Sequence, residues 1–393
     1  MDGNMSTVLL PQDLIAEIFS PLSIKSLVRF QCVSKPCCAL INDPYFINMH
    51  LNAASRERSL IVETCRRHWP KDYYSVNFSD EDRSFGERVK IFPPFIWRQE
   101  NLNHPSASVI GCCNSLVCIR KYDDEVVIWN PSIKKYKKLP NEPDLDHDKH
   151  SQIISAFGYD PVRLNLAFGF DPVNNDYKVL KIVFVESVKP DNWGLEPQWA
   201  IEIMDPIEIM VYSLKSHSWR RVEDQWPYKE ESFICSGPPA FSNGVFHWLV
   251  MSAPGVRTLL TFDLTTEKFG VQTFPFESYL NVAFEVLGGS LCVSGNTADM
   301  GVEVWMMNGH GVASSWSRLY TIPMTFRYSR SLALSKDGEK VLIEDESNKL
   351  FWYNIKENTC CRIVDQNNKH TFIKYWTASY VESLLLLDGD NGN

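Results

Sequence analysis

One phrase recurs along most of this 393-residue chain: an apolar strand, a polar turn, an aromatic or apolar residue, and a second strand. The five copies occupy residues 126–140, 209–222, 260–271, 304–319 and 350–364. Equivalent turn positions are Asn130, Ser213, Asp263, Met307 and Asn354, which are spaced by 83, 50, 44 and 47 residues. Three of these four intervals lie close to the period of about 40 to 50 residues that is typical of a four-stranded propeller blade. The spacing therefore favours radial repetition.

Further strand patterns complete the predicted ring. Inner hairpins are predicted at residues 113–118, 243–248, 288–292 and 332–338, and the long first interval contains strands at 166–170 and 177–184. Strands at 60–64 and 73–78 open another blade, and residues 380–387 are predicted to close the ring by pairing with an N-terminal strand. We predict an α+β multidomain chain in which a small all-α unit precedes an all-β propeller of about six blades. Seven or eight blades, or an irregular β-sandwich, are the alternatives.

The N-terminal segment has the pattern of three short helices. Leu14, Ile15, Ile18, Phe19 and Leu22 recur at helical spacing behind Pro11, which predicts a helix from about residue 11 to residue 20. Ser23 and Ser34 are suited to cap a second and a third helix, and Asp43-Pro44 ends the third. Residues 10–41 are too apolar to be stable alone, so we expect this segment to dock onto another surface.

This segment resembles the F-box, the module by which ubiquitin-ligase receptors hold a Skp-type adaptor. The resemblance is carried by Leu10-Pro11, Leu14, Glu17, Ile18, residues 24–35 and Leu40-Ile41. The chain departs from the family at Pro21-Leu22-Ser23, usually Arg-Leu-Pro, and at Cys37, usually Trp. The resemblance implies that the adaptor-binding residues are Leu10, Pro11, Leu14, Ile18, Leu22, Ile24, Leu27, Phe30 and Val33. The alternative is an ordinary helical hairpin that caps a larger domain.

The β-rich remainder resembles the F-box-associated, kelch-like domain of plant F-box proteins. The motifs are residues 128–131 with Leu139-Pro140, 168–172 followed by 175–179, 241–249, and 304–307 before Ser315-Trp316. Predicted boundaries are 5–50 for the F-box, 51–108 for a linker with a candidate first blade, 109–388 for the substrate-binding propeller and 389–393 for a tail. The order of motifs is also similar to the S-locus F-box group, whose members target basic ribonucleases of the style.

The distribution of charge indicates the kind of partner. The net charge is −9, and residues 1–59 hold five acidic and five basic side chains, so the whole acidic excess lies further along the chain. An acidic surface repels nucleic-acid phosphates and attracts basic partners. The chain shows neither a secretion signal nor an apolar run approaching the roughly 18 residues that cross a bilayer. These features predict a cytoplasmic, or alternatively nuclear, protein that binds neither nucleic acid nor membrane.

The sequence lacks the motifs expected of an enzyme or a metalloprotein. The nine histidines have no metal-ligand spacing, and neither a nucleophile elbow nor a P-loop occurs. Cys113 with Cys118, or Cys65 with His68, lacks a second pair of zinc ligands at finger-like distance. We therefore predict no metal, no cofactor and no catalysis.

The family resemblance predicts a substrate-recognition subunit of a Skp–cullin–F-box ubiquitin ligase, bound through the adaptor to cullin and RING subunits. Client recognition is predicted on loops, with Trp193 and Trp199 as anchors because Trp is frequent at the energetic centre of interfaces. Asp144, Asp146 and Asp148 would attract a basic client. The alternative function is a non-catalytic scaffold whose divergent F-box does not bind the adaptor.

Overall fold

The fold combines a few helices with many short antiparallel strands. The computed structural model describes residues 11–54, 58–65, 71–78, 88–91, 108–121, 125–140, 162–187, 200–203, 208–228, 232–235, 239–252, 256–273, 280–297, 301–309, 316–323, 328–335, 337–347, 349–363 and 373–385. Within these ranges, four helices are followed by 26 strands.

The N-terminal helices form what we call the helical unit. Its members are α1 (Gln12–Phe19), α2 (Ile24–Phe30), α3 (Lys35–Ile41) and α4 (Pro44–Ala54). Ser23 and Ser34 each accept a hydrogen bond from the backbone N–H three residues later, which confirms both as caps.

The fourth helix differs from the prediction of three. Asp43-Pro44 does follow the end of α3, but the same dipeptide also begins α4. Asp43 Oδ1 accepts the backbone N–H of Tyr45 at 2.8 Å and of Phe46 at 3.3 Å. Proline suits the first helical turn because its missing N–H has no partner there in any case. The dipeptide that follows the end of α3 therefore also begins α4.

The strands form five antiparallel sheets. Sheet 1 holds β1 (Arg58–Cys65), β2 (Lys71–Phe78), β3 (Arg88–Ile91) and β26 (Ile373–Tyr380), and sheet 2 holds β4 (Ser108–Cys113), β5 (Leu116–Arg120), β6 (Val126–Asn130) and β7 (Lys135–Lys138). Sheet 3 holds β8 (Val162–Asp171), β9 (Asp176–Ser187), β10 (Ala200–Ile203), β11 (Glu208–Ser213), β12 (Ser218–Arg221), β13 (Ser232–Cys235), β14 (Ala240–Ser242), β15 (Val245–Ser252), β16 (Val256–Asp263) and β17 (Lys268–Thr273). Sheet 4 holds β18 (Leu280–Leu287), β19 (Ser290–Asn296), β20 (Val302–Met307) and β21 (Trp316–Ile322), and sheet 5 holds β22 (Tyr328–Leu334), β23 (Lys340–Asp345), β24 (Leu350–Asn354) and β25 (Thr359–Arg362).

The count of five corrects the prediction of about six blades. Sheet 3 has ten strands because β10 pairs with both β9 and β13, which joins the groups β8-β9-β11-β12 and β14-β15-β16-β17. The 12-residue strand β9 is long enough to serve both neighbours. Lys178 to Val183 pair with β11, whereas Glu186 and Ser187 pair with β10. The repeat period shows where strands recur, but it carries no information on this extra pairing.

The repeated turn positions are confirmed. Asn130, Ser213, Asp263, Met307 and Asn354 are the last residues of β6, β11, β16, β20 and β24. The Oδ1 atoms of Asn130, Asp263 and Asn354 each accept a backbone N–H two residues later, at 3.0, 2.7 and 3.0 Å. Asn and Asp recur at such places because their side chains can satisfy the backbone of the turn.

The sheets follow one another around a closed ring. β4 contacts β8, β8 contacts β15, β14 contacts β18, β18 contacts β22, β22 contacts β26, and β26 contacts β4. The predicted opening strands are confirmed as β1 and β2. Closure by a C-terminal strand is also confirmed, but that strand is β26, which pairs with β1 and ends at Tyr380. Residues 381–385, which were predicted to belong to the closing strand, follow it and have another role.

A buried ion-pair network joins the two halves of sheet 3. Lys178 Nζ lies 2.8 Å from Asp171 Oδ2, 3.0 Å from Glu267 Oε1 and 2.5 Å from the carbonyl oxygen of Leu264. Burial by itself raises the pKa of Asp171, but hydrogen bonds from Lys178, Asn174 and Thr265 outweigh that effect and hold the pKa well below its usual value. Asp171 and Lys178 belong to the family motifs, and their arrangement here is structural.

Close packing explains the glycine of the motif at 168–172. A Cβ at Gly169 would lie 2.4 Å from Cε2 of Phe241. We expect Gly169→Ala to lower the free energy of unfolding by about 1 to 3 kcal/mol, because the ring must shift within a packed core. Urea denaturation checks this, with Gly309→Ala as the control, since nothing lies within 4 Å of a Cβ there. Equal effects of the two substitutions would contradict the proposed clash.

Candidate functional site

The helical unit has its own apolar core. Leu27, Ile41 and Phe46 are fully buried, and they contribute one side chain each from α2, α3 and α4. Ala16 of α1 is also buried, although a larger part of this helix remains in contact with solvent. The inner faces of the helices are therefore satisfied within the protein.

The outer faces of the helices remain unusually apolar. Among the described residues, six of the eight exposed large hydrophobic side chains belong to the helical unit or its turns. We call these six the helical surface, and they are Leu14, Ile18, Val28, Phe30, Val33 and Tyr45. The other two, Val173 and Val271, lie in the ring. Such a concentration is typical of an interaction site.

Local geometry orients the helical surface. Leu14 and Ile18 are four residues apart in α1, so they share one face of that helix, and they are 46% and 56% exposed. Phe30 of α2 stacks on Phe19 of α1, with ring centroids 5.3 Å apart and planes inclined by 9°. This stacking holds α1 against α2 while part of the Phe30 ring stays exposed.

The predicted adaptor-binding residues differ in how deeply they are buried. Pro11, Leu14, Ile18, Phe30 and Val33 are exposed. Leu22 is half-buried, whereas Ile24 and Leu27 are buried in the core of the helical unit, where they are unavailable for contact in the isolated chain. Leu10 lies outside the described residues.

Two exposed residues were missed by the sequence reasoning. Val28 follows Ile24 by four residues, so the helical period places it beside a buried residue and gives no signal of its exposure. Tyr45, which is 77% exposed, lies at the start of the unpredicted helix α4.

The cap at Ser23 bears on one departure from the family pattern. Where the family usually has Pro, Ser23 Oγ accepts the backbone N–H of Ser26 at 3.4 Å. Both residue types favour the start of a helix. The side-chain cap of Ser23 therefore takes the place of proline, and α2 begins where the family pattern predicts it.

The segment after the closing strand attaches the helical unit to the ring. Leu384 is 2% exposed and belongs to the core of the helical unit, where Leu385 and Ile133 also pack. Asn130 at the end of β6 donates from Nδ2 to the carbonyl oxygens of Ser383, at 3.1 Å, and Leu385, at 3.0 Å. Residues 383–385 therefore link the helices to sheet 2.

The structure does not describe the predicted client-binding residues. Trp193, Trp199, Asp144, Asp146 and Asp148 lie outside the described residues. Their role remains a prediction.

The described residues also bear on metal binding, thiol reactivity and membrane insertion. No group of three or more His, Cys, Asp or Glu side chains within it could hold a metal ion. Burial raises the pKa of the Cys113 thiol to about 12 and that of Cys292 to about 12, and a thiol that stays protonated is a poor nucleophile. In the same ranges, no helix has both the length and the apolar character needed to cross a membrane.

Comparisons with known proteins agree with this division into helices and ring. Residues 8–48 match the F-box domain, and residues 72–387 match the F-box associated beta propeller domain. The chain belongs to the family of F-box proteins that carry this propeller domain. Membership indicates a non-catalytic adaptor role, and the F-box domain implies binding to a Skp-type adaptor.

Similar proteins of Arabidopsis thaliana extend over nearly the whole chain. F-box protein CPR1 is 28% identical over 392 residues, which cover 92% of this chain and 86% of that protein. F-box protein At4g22390 is 27% identical and covers 89% of this chain and 84% of its own length. F-box/kelch-repeat protein At3g23880 is 25% identical, with 86% of each chain covered.

Proposed function

We propose that this protein is the substrate-recognition subunit of a Skp–cullin–F-box ubiquitin ligase. The observation that supports this most is the exposed, apolar helical surface on a unit whose own core is already complete. In the complex, the helical surface binds the Skp-type adaptor, which connects the protein to the cullin and RING subunits. The propeller binds a client protein.

Such a receptor performs no chemistry of its own. It holds a client lysine near ubiquitin carried by another subunit, and the rate rises because the two reactants are kept close together. This mechanism requires a defined orientation between the helices and the ring. The hydrogen bonds of Asn130 and the buried side chain of Leu384 support such an orientation.

For the client we propose a basic protein, recognised on loops through Trp193 and Trp199 and attracted by Asp144, Asp146 and Asp148. The acidic excess of the chain outside residues 1–59 supports a basic partner. The resemblance to the S-locus F-box group makes style ribonucleases one candidate class of client.

We expect Leu14→Ala combined with Ile18→Ala to weaken adaptor binding at least about tenfold. Full burial of such a side chain contributes about 1.5 to 3 kcal/mol, and both residues are about half exposed in the isolated chain. Binding of the full-length protein to a purified Skp-type adaptor, measured by calorimetry, checks this. The thermal unfolding temperature should change little because neither residue is in the core.

Val173→Ala combined with Val271→Ala is the matched control, since both valines are exposed on the ring at 74% and 46%. This control should bind the adaptor as well as the parent does. If the parent protein binds no Skp-type adaptor, the alternative function as a propeller scaffold with a non-binding F-box is favoured. If the Leu14 and Ile18 variant binds normally, the helical surface is not the adaptor site.

A further inference from the structure

The outer strands of two neighbouring four-strand groups carry a concentration of positive charge. β7 is the outer strand of sheet 2, and β12 is an outer strand of sheet 3. Neither residues 131–140 nor residues 214–221 contain an acidic side chain. We call the cationic and histidine side chains of these two segments the basic surface, and they are Lys134, Lys135, Lys137, Lys138, Lys215, His217, Arg220 and Arg221.

Contacts between the two segments make this surface continuous. Lys137 Nζ lies 2.7 Å from Nδ1 and 3.0 Å from Nε2 of His217, although 80 residues separate them in sequence. The indole N–H of Trp219 donates to the carbonyl oxygen of Pro140 at 3.0 Å. We call the place where residues 131–140 meet residues 214–221 the junction. Charges from both segments therefore act together on a molecule that lies over it.

General protection of strand edges does not account for this concentration. Lysines and other charged side chains on outer strands discourage pairing with other chains. The outer strands β17, β21 and β25 each carry a single cation, which is Lys268, Arg318 or Arg362, and the outer strand β3 carries two, Arg88 and Lys90. β7 alone carries three lysines, and β12 adds two arginines.

Neighbouring carboxylates balance only part of the charge. Glu125 pairs with Lys138 at 2.8 Å, Glu208 pairs with Arg221 at 3.1 Å, and Glu267 pairs with Arg220. Lys134 and Lys215 are exposed, and neither has a carboxylate partner among the described residues. Lys215 Nζ donates to the backbone carbonyl oxygen of Asn174 at 3.3 Å, which is a hydrogen bond to a neutral group and not an ion pair.

We propose that the basic surface binds an acidic polypeptide segment of a partner protein. Charge complementarity selects the occupant, because carboxylates would gain favourable interactions with the exposed cations that have no carboxylate partner among the described residues, Lys134 and Lys215. Single-stranded nucleic acid is less suited, since its binding usually requires aromatic rings open for stacking on bases. The Trp219 ring packs against Tyr212, with centroids 5.3 Å apart, and its N–H is already used. This inference is separate from adaptor binding and from the loops proposed for the client.

The test uses the full-length protein in complex with its Skp-type adaptor and a fluorescein-labelled repeat peptide of Glu and Gly. We expect binding, measured by fluorescence anisotropy, that weakens as salt is added. Lys134→Gln, Lys137→Gln and Lys215→Gln together should weaken binding about tenfold, which corresponds to about 1.4 kcal/mol. The same repeat with Gln in place of Glu should not bind.

The matched control replaces three exposed lysines elsewhere on the ring, Lys268, Lys349 and Lys356, by Gln, which removes the same charge. Equal loss in both triple variants would overturn the proposal, since net charge alone would then explain binding. Binding of a single-stranded oligonucleotide that is stronger than binding of the peptide would also overturn it. So would peptide binding that appears only in a variant with Asp144, Asp146 and Asp148 replaced by Asn. If Lys137→Gln disturbs folding, the pair Lys134→Gln and Lys215→Gln must still weaken binding severalfold.

Discussion

Lys178→Met is expected to lower the free energy of unfolding by about 3 to 5 kcal/mol. The Lys178 and Asp171 side chains are 5% and 0% exposed, so the substitution leaves a buried carboxylate without its main cationic partner. Glu267 would keep Arg220 but lose its second cation. Urea denaturation of the full-length protein, followed by tryptophan fluorescence, measures the loss.

Lys356→Met is the control for this prediction. It breaks the ion pair of Lys356 with Glu339, whose side chains are 71% and 45% exposed. Exposed pairs contribute about 0 to 1 kcal/mol because water and salt screen them. A loss of similar size in both variants would show that burial does not determine the strength of the Lys178 network.

The same network predicts how acid affects the parent protein. Because the pKa of Asp171 is lower in the folded state, its stabilising contribution is fully present above the unfolded pKa of about 3.9. It is lost as the pH falls from there toward the folded value. Asp171→Asn should therefore flatten the dependence of stability on pH below about pH 4, which unfolding measurements across that range would show.

Leu384→Ala is expected to lower the free energy of unfolding by about 2 to 5 kcal/mol, because it leaves a cavity where the helical unit meets the ring. We also expect faster hydrogen exchange in α2 and α3, since this side chain belongs to their core. Hydrogen exchange with mass spectrometry, together with thermal unfolding, provides the measurement.

Val271→Ala is the control. This valine is 46% exposed on β17, so the substitution removes an apolar group from the surface of the ring and leaves the core intact. Unchanged exchange in the helices of the Leu384 variant would contradict the inferred link between helical unit and ring. A loss limited to the ring would show that Leu384 stabilises the propeller alone.

Local chemistry explains why much of the fold was predictable. Ser23, Ser34 and Asp263 act on backbone groups two or three residues away, so their function is visible in a short window of sequence. The turns after Asn130 and Asn354 were predictable for the same reason. The error at Asp43-Pro44 arose because one dipeptide can both end a helix and begin the next.

The candidate site was less predictable. Leu14 and Leu27 both follow a helical period, yet Leu14 is 46% exposed and Leu27 is fully buried. Apolar character alone cannot separate a residue that builds a core from one that remains at a surface. The distinction depends on which face meets the other helices and Leu384, a residue more than 350 positions away.

The sequence alone determined that a small helical unit precedes a β-rich ring, the position of the repeated turns, and the membership of the F-box family, because these depend on neighbouring residues and recurring motifs. Only the tertiary structure decided that β10 joins two groups into one sheet and that the closing strand ends at Tyr380 instead of beginning there. It also decided that Lys137 meets His217. These features depend on contacts between segments that are distant in sequence, and a pattern of neighbouring residues does not encode such contacts.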